Sequence, residues 1–192
     1  MAINLKKNST ISLTKMEPQL TKVMVGLGWD TVKPKGFFSS LFGGETNIDL
    51  DASCILIDEQ LNVVDTVWFR QLKSQCGSVK HQGDNRTGEG DGDDEKIEID
   101  LDSLAPNIRH LAFTVNSYMG QNFDKVNNAF CRIVNQNQNE LCRFTLTEQG
   151  SHTGLFIGLL SREGNQWQFT SKGLPMTGKT VQELSHTVLN AL

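Results

Sequence analysis

The chain has 192 residues, which is long enough for one large domain with a substantial core. Its formal net charge of −4 argues against nucleic acid as a partner, because phosphate binding needs a basic surface. No apolar run approaches the roughly 20 residues that span a bilayer, and the first residues lack the apolar core of a signal peptide. We therefore expect a cytoplasmic protein.

Most of the chain alternates between apolar and polar residues with a period of two, as half-buried strands do. The predicted strands are 10–13, 22–27, 47–54, 63–69, 96–102, 110–116, 129–134, 141–147, 155–161 and 166–172. In segment 47–54 the alternation places Leu50 and Ala52 on one face and Asp49 and Asp51 on the other. Short strands separated by turns are typical of an all-β sandwich or barrel.

Two short helices are also predicted, one of about a single turn within 122–128 and a longer one at 180–192. In the second, Val181, Leu184, Val188 and Leu192 recur at helical spacing and form an apolar stripe that can dock on a sheet. Neither an internal repeat nor a linker interrupts the chain. We therefore expect a single domain over residues 1–192.

The four cysteines are Cys54, Cys76, Cys131 and Cys142. They have no C-x-x-C spacing and no pair of histidines nearby, so a structural zinc site is not expected. Cys54 and Cys131 lie in apolar, strand-like runs. This pattern is typical of reduced thiols in the core of a protein.

Segment 83–95 (GDNRTGEGDGDDE) carries six carboxylates, opposed only by Arg86. Repulsion between so many like charges costs free energy unless a cation or solvent screens it. The glycines let the backbone turn its carbonyl groups inward, and Asp, Asn and Thr supply the mixed oxygen ligands that Ca²⁺ prefers. A calcium site is the favoured interpretation, and a solvated acidic loop is the alternative.

The acidic segment is not an EF-hand. Asp84 and Glu95 have the right spacing for its first and last ligands, but Glu89 stands where that motif requires glycine. The flanking residues also read as strands. Asp49 and Asp51 share one strand face, and Asp30 ends a strand-like run. Because a sandwich collects its loops at two ends, these carboxylates can converge with the acidic segment.

Four segments are distinctive: GLGWD (26–30), DLDAS (49–53), the acidic stretch 77–95 and NAFCRIVNQ (128–136). Together they resemble the tellurite-resistance TerD family. The resemblance covers nearly the whole chain. It implies a β-sandwich of two mainly antiparallel sheets that binds about two calcium ions at one end. It also implies a non-enzymatic role in tellurite resistance and stress response, with other Ter proteins as partners.

Carried over residue by residue, the resemblance implies a set of metal ligands. These are Asp84, Asn85, Thr87, Glu89, Asp93, Asp94 and Glu95, then Asp30, Asp49 and Asp51, and last Asp91. Family members are cytoplasmic or associated with membranes. We therefore extend the expected location to the inner face of the membrane.

An insertion at 33–44 (KPKGFFSSLFGG) lies between Asp30 and Asp49. Its basic and aromatic residues fit contact with a partner or with an anionic membrane. The predicted contact residues are Lys33, Lys35, Phe37, Phe38, Leu41 and Phe42. A flap packed over the end of the sandwich is the alternative interpretation.

Residues 173–180 (GLPMTGKT) match the phosphate-binding pattern G-x-x-x-x-G-K-[ST]. The chain around them reads as antiparallel strands, and Pro175 removes one of the amides that would face a phosphate. We predict a turn that leads into the C-terminal helix, and no nucleotide site.

The leading functional hypothesis is a non-enzymatic, calcium-dependent docking module. The alternative is a metal-dependent phosphoesterase that uses the same carboxylates, but the histidines are scattered and suggest no nucleophile–base pair. His81 lies beside the acidic segment, where a lone histidine favours a surface or capping position. Direct capture of tellurite by thiols is disfavoured, because the cysteines are expected to be buried.

Overall fold

Strands make up most of the computed structural model, which describes residues 2–31, 50–83, 92–147 and 149–192. In chain order the strands are β1 (Ile3–Leu5), β2 (Thr10–Ser12), β3 (Lys22–Thr31), β4 (Leu50–Asp58), β5 (Val63–Val67), β6 (Val79–His81), β7 (Glu95–Asp100), β8 (Ile108–Ser117), β9 (Val126–Asn135), β10 (Glu140–Thr145), β11 (Gly154–Glu163) and β12 (Gln166–Met176). The helices are α1 (Leu13–Met16) and α2 (Val181–Asn190), and a 3₁₀ turn covers Phe123–Lys125.

The described strands form two six-stranded sheets that pack face to face. Sheet A has the order β1-β10-β9-β3-β7-β6, and sheet B has the order β2-β12-β11-β8-β4-β5. Every described pairing is antiparallel except that of β1 with β10, which is parallel. The predicted all-β sandwich of two mainly antiparallel sheets is confirmed.

Apolar side chains form two layers, one between the sheets and one on the outer face of sheet B. The alternation predicted for segment 47–54 places Ala52 and Cys54 in the first layer. Further along β4, Ile55 and Ile57 belong to the second layer, beneath α2. Asp51 is buried as well. Both faces of β4 are therefore covered, because α2 shields the side that the alternation alone would leave to solvent.

Helix α2 confirms the predicted C-terminal helix. Thr180 caps it, since its side chain accepts a hydrogen bond from the Glu183 backbone N–H. Val181, Leu184 and Val188 are buried against sheet B, as their spacing predicts. Leu192, the fourth residue of the predicted stripe, lies beyond the helix end and is exposed. No described helix is long and apolar enough to cross a membrane.

Short connections link the edge strands of the two sheets. On one side, the turn between β1 and β2 is held by hydrogen bonds from Asn8 N to Ser171 O (2.8 Å) and from Ser171 N to Ser9 O (3.0 Å). On the other side, Lys73 in the connection from β5 to β6 forms an isolated antiparallel β-bridge with Lys80 of β6. The connections thus lie where unpaired strand edges would otherwise face solvent.

One local prediction holds in part and another is wrong. Segment 122–128 contains the single turn expected there, a 3₁₀ turn over Phe123–Lys125, but β9 already begins at Val126. Residues 173–180 are not a turn throughout, because the first four continue β12, where Pro175 lies opposite Leu155 of β11. The predicted strands and helices also omit β1, β6 and α1, which are three or four residues long.

Leu184→Ala should lower the free energy of unfolding by about 2–5 kcal/mol. The Leu184 side chain is fully buried in the layer between α2 and sheet B, so the substitution leaves a cavity. Urea unfolding followed by circular dichroism measures the change. Gln182→Ala, at an exposed position of the same helix, is the control and should shift stability by less than about 0.5 kcal/mol. Equal stability of the two variants would contradict the packing of α2.

Candidate metal site

The two stems of the predicted acidic segment lie at one end of the sandwich. Leu27 of β3 pairs with Glu95 of β7, and Asp94 donates its backbone N–H to the Leu27 carbonyl oxygen at 2.8 Å. On the other stem, Gln82 donates to the Lys96 carbonyl oxygen at 2.9 Å. Strand β4 also starts here. We call this end of the sandwich, where β3 finishes and β4 and β7 begin, the acidic end.

The described residues include part of the predicted ligand set, namely Asp30, Asp51, Asp93, Asp94 and Glu95. The predicted ligands outside the described residues are Asp49, Asp84, Asn85, Thr87, Glu89 and Asp91. The predicted contact residues Lys33, Lys35, Phe37, Phe38, Leu41 and Phe42 also lie outside them. The structure therefore describes how the acidic segment is anchored, and the ligand assignments stay predictions.

Asp94 lies partly buried in a region of negative charge. Its Oδ2 accepts a hydrogen bond from the Trp29 backbone N–H at 2.8 Å. Burial raises the pKa of the Asp94 carboxyl above its ordinary value, and the charges of Asp30 and Asp93 raise it further, while the Trp29 amide acts in the opposite direction. The three carboxylates thus act on one another electrostatically.

Asp30 is held by a side chain from the neighbouring strand. Its Oδ2 accepts a hydrogen bond from Asn128 Nδ2 at 2.7 Å. Asn128 lies at a bulge, where the register between β3 and β9 shifts after Gly28, and its φ of 50° is in the left-handed region. Asn tolerates this conformation better than most residues. The bulge therefore aims the Asn128 amide at Asp30.

Asp93 forms an ion pair with Arg132 of β9. Arg132 Nε and Nη2 donate to the two carboxylate oxygens of Asp93 at 2.7 and 2.8 Å. The Asp93 side chain has 0% exposure and that of Arg132 has 28%. Both oxygens of this predicted ligand are therefore engaged by a cationic side chain.

Glu95 connects the two sheets. Its carboxylate is fully buried, and Oε2 accepts a hydrogen bond from the Ala52 N–H of β4 at 2.5 Å. His81 Nε2 lies 3.4 Å from the same oxygen, and His81 Nδ1 accepts the Gly83 N–H at 3.2 Å. His81 is 5% exposed, so the surface position considered for it is wrong, whereas the capping role is observed.

Asp51 occupies the other face of β4. It is 4% exposed and lies opposite Asn116 of β8. Because Leu50 and Ala52 belong to the layer between the sheets, alternation directs Asp51 to the outer face of sheet B. Among the described residues, the β4 backbone rather than the Asp51 side chain thus meets Glu95.

In the part of the chain that the structure describes, no group of three or more His, Cys, Asp or Glu side chains is arranged to hold a metal ion. Asp93 is paired with Arg132, and Glu95 is bonded to β4. Asp30 accepts the Asn128 side-chain amide, and Asp94 accepts the Trp29 backbone N–H. They supply only part of the oxygen ligands that a calcium ion needs.

Sequence reasoning gave no role to Asn128 or Arg132, although both lie in the segment 128–136 that carries the family resemblance. Arg132 offered a signal. It is a lone cation in the otherwise apolar run 129–134, and a charge in such a strand needs a partner on an adjacent strand.

Cys76 departs from the expectation that the cysteines are buried. Its free thiol is exposed, whereas the other three thiols are buried. Partial burial acts to raise the pKa of Cys76, but hydrogen bonds with the Ser74 and Ser78 hydroxyls and with backbone amides outweigh it and lower the pKa. Burial instead raises the pKa of Cys142 to about 12.

The fold and this end define a class of protein, an all-β sandwich with carboxylates gathered beside a glycine-rich acidic segment. The chain matches the family model described as TerD domain over residues 1–187. It belongs to the TerD family of tellurium-resistance and stress-response proteins.

The chain aligns with two relatives in this family over nearly the full length of each protein. The chain is 50% identical to the tellurium resistance protein TerZ of Serratia marcescens, over 99% of this chain and 98% of that protein. It is 44% identical to the stress response protein SCP2 of Bacillus subtilis (strain 168), over 90% and 92%. A crystal structure of a homologue of telluride resistance protein (TerD) from Streptomyces coelicolor A3(2) has a TM-score of 0.70 at 21% identity, covering 86% of this chain and 95% of that one. That likeness supports the fold.

Iodoacetamide should alkylate Cys76 alone in the folded protein. The thiolate is the reactive form, so a lowered pKa keeps Cys76 reactive at a pH where an ordinary thiol is protonated. Intact-mass spectrometry over a pH series measures the reaction, with Cys76→Ser as the control that should stay unmodified. Alkylation of a second thiol before unfolding would contradict the burial of the other three.

Proposed function

We propose that this protein is a non-enzymatic calcium-binding module that docks onto partners when calcium is bound. The observation that carries the proposal is the gathering of negative charge at the acidic end. There, burial and the charges of Asp30 and Asp93 raise the pKa of Asp94. A bound cation relieves this kind of repulsion.

The donors at this end suit calcium. They are carboxylate and amide oxygens, which hard cations prefer, whereas softer metals favour nitrogen or sulfur ligands. Asp30 and Asp94 would hold an ion together with the oxygen-rich segment 83–95. Asp49 and the acids of that segment that lie outside the described residues, Asp84, Glu89 and Asp91, complete the proposed set. Bound calcium supplies positive charge, which favours the ionised form of each neighbouring carboxylate.

His81 supports a role without catalysis. Nδ1 accepts the Gly83 N–H, and Nε2 lies 3.4 Å from Glu95 Oε2. The residue is buried, so it links two stems of the acidic segment and does not face a substrate. A general base has to reach the proton that it removes.

Calcium binding would act on partner contact through the insertion 33–44. Thr31 ends β3 and Leu50 begins β4, and both lie at the acidic end. A change of charge at this end therefore acts beside the points where segment 32–49 leaves and rejoins the sheets. Lys33, Lys35, Phe37, Phe38, Leu41 and Phe42 are the proposed contact residues.

Family membership suggests the partners. Relatives are named for tellurium resistance and for stress response. We expect other Ter-type proteins to bind, in the cytoplasm or peripherally at the inner face of the membrane. The basic and aromatic residues of the insertion suit an anionic lipid surface.

Asp94→Asn should weaken calcium binding by at least about tenfold, or about 1.4 kcal/mol. Without calcium the same substitution should raise stability slightly, because it removes a partly buried charge that Asp30 and Asp93 repel. Calorimetric titration measures the affinity, and thermal melting measures the stability with and without calcium.

The control is Glu59→Gln, which removes one exposed charge just beyond the far end of β4 and should leave calcium affinity unchanged. A wild-type protein that binds no calcium at millimolar concentration would overturn the proposal. Equal effects of the two substitutions would remove Asp94 from the site.

Calcium should promote sedimentation of the protein with vesicles that contain phosphatidylserine. The double variant Phe37→Ser/Phe38→Ser should reduce the bound fraction, because it removes apolar surface from the insertion. Val64→Ser, at an exposed apolar position on β5, is the matched control. Absence of binding with and without calcium would exclude the membrane form of docking and leave a protein partner.

A further inference from the structure

Two glycines of β3 make room for the stem of the acidic segment. Val25 and Leu27 point into the layer between the sheets, so Gly26 and Gly28 face the outside of sheet A. A Cβ on Gly26 would overlap the Asp93 carboxylate, and one on Gly28 would overlap the Phe130 ring and the Gly92 carbonyl oxygen. Residues 92 and 93 therefore cross directly over the backbone of β3.

Arg132 is in register with this crossing. It lies opposite Gly26 in the ladder between β3 and β9, on the same outer face. Its guanidinium binds both Asp93 oxygens, and Nη1 binds Glu140 Oε2 at 3.2 Å. Because the planar guanidinium is bound to a carboxylate on each side, it fixes the position of the Asp93 carboxylate and also neutralises its charge.

A second arginine balances the charge of this group. Arg143 of β10 lies opposite Arg132 and donates to both oxygens of Glu140 at 2.9 Å. Its guanidinium also lies 4.2 Å from the centroid of the Phe130 ring. Two arginines thus meet two carboxylates, so the charge of Asp93 is already compensated within sheet A.

The next two residues depend on this crossing. Asp94 follows directly, and its backbone N–H is bonded to Leu27 O. Glu95 then enters β7 and reaches Ala52. A displaced Asp93 would shift both carboxylates, because only one or two peptide units separate them from it.

We propose that Asp93 and Arg132 form a clamp that fixes residues 92–95 on sheet A. Within the calcium site proposed above, on which this inference rests, Asp93 is a positioning residue that does not coordinate the ion. Gly26 is part of the clamp, because the crossing needs a position without a side chain.

A double-mutant cycle of Asp93→Asn and Arg132→Gln separates the two roles. Outer-shell partners of metal ligands typically change affinity by about tenfold or more. A clamp predicts that each single variant weakens calcium binding about tenfold and that the double variant is no weaker, because all three lose the same contact. Gly26→Ala should have the same effect without a change of charge. Arg132→Lys should restore only part of the affinity, since it keeps the charge but loses the fork.

A ligand role for Asp93 predicts a different pattern. Asp93→Asn would then abolish calcium binding, whereas Arg132→Gln and Gly26→Ala would leave it intact or stronger. That result would overturn the clamp. The double variant removes both charges together and keeps the comparison available if a single variant leaves an unpaired buried charge and fails to fold. Asp102→Asn, at an exposed position beyond β7, is the control for loss of one carboxylate.

Amide hydrogen exchange of calcium-free protein tests the clamp independently of the metal. The Asp94 amide should exchange faster in Asp93→Asn, Arg132→Gln and Gly26→Ala than in the wild type. Unchanged exchange in all three would refute the clamp even if calcium binds. Faster exchange in a protein that binds no calcium would keep the clamp and refute the proposed function.

Discussion

The buried carboxylate of Glu95 is the constraint on which the acidic end depends. It belongs to sheet A but bonds to the Ala52 amide of sheet B, so it ties β7 to β4. A buried anion without partners is costly, and the β4 amide supplies a hydrogen bond, while His81 Nε2 lies 3.4 Å away. Because His81 also accepts the Gly83 amide, both stems of the acidic segment meet at this one carboxylate. The buried carboxylate of Glu95 thus fixes where both stems of the acidic segment leave the sandwich.

Three consecutive acids therefore have three different surroundings. Asp93 is compensated by Arg132 on the outer face of sheet A, and Glu95 is enclosed between the sheets. Asp94 lies between them, partly buried, within reach of the charge of Asp30. Composition treats the three as equal contributions to one acidic run. In the structure, Asp93 anchors the segment on sheet A, Glu95 joins the two sheets, and Asp94 lies near other negative charges.

Strand periodicity predicted an all-β sandwich or barrel, because an alternating pattern reports burial over each strand's whole length, and the family resemblance implied the sandwich. Periodicity did not predict strands that form only because a longer neighbouring strand pairs with them. β1 and β6 are three residues long and exist because longer strands offer them a free edge. At the acidic end the run itself and the family resemblance were visible in the sequence. The contacts of the acidic residues could not be predicted from the sequence. Those of Asp93 with Arg132 and of Glu95 with Ala52 join residues far apart in the chain.

The turn between β1 and β2 has a consequence for the order of events during synthesis. These two strands are made before the other described strands, whereas their partners β10 and β12 come late in that order. Pairing between such distant parts of a chain is slow, because a large loop must close first. Until then, the edges of β10 and β12 stand open to any strand nearby. The pairing of β1 and β2 thus covers the free edges of β10 and β12 in a new copy.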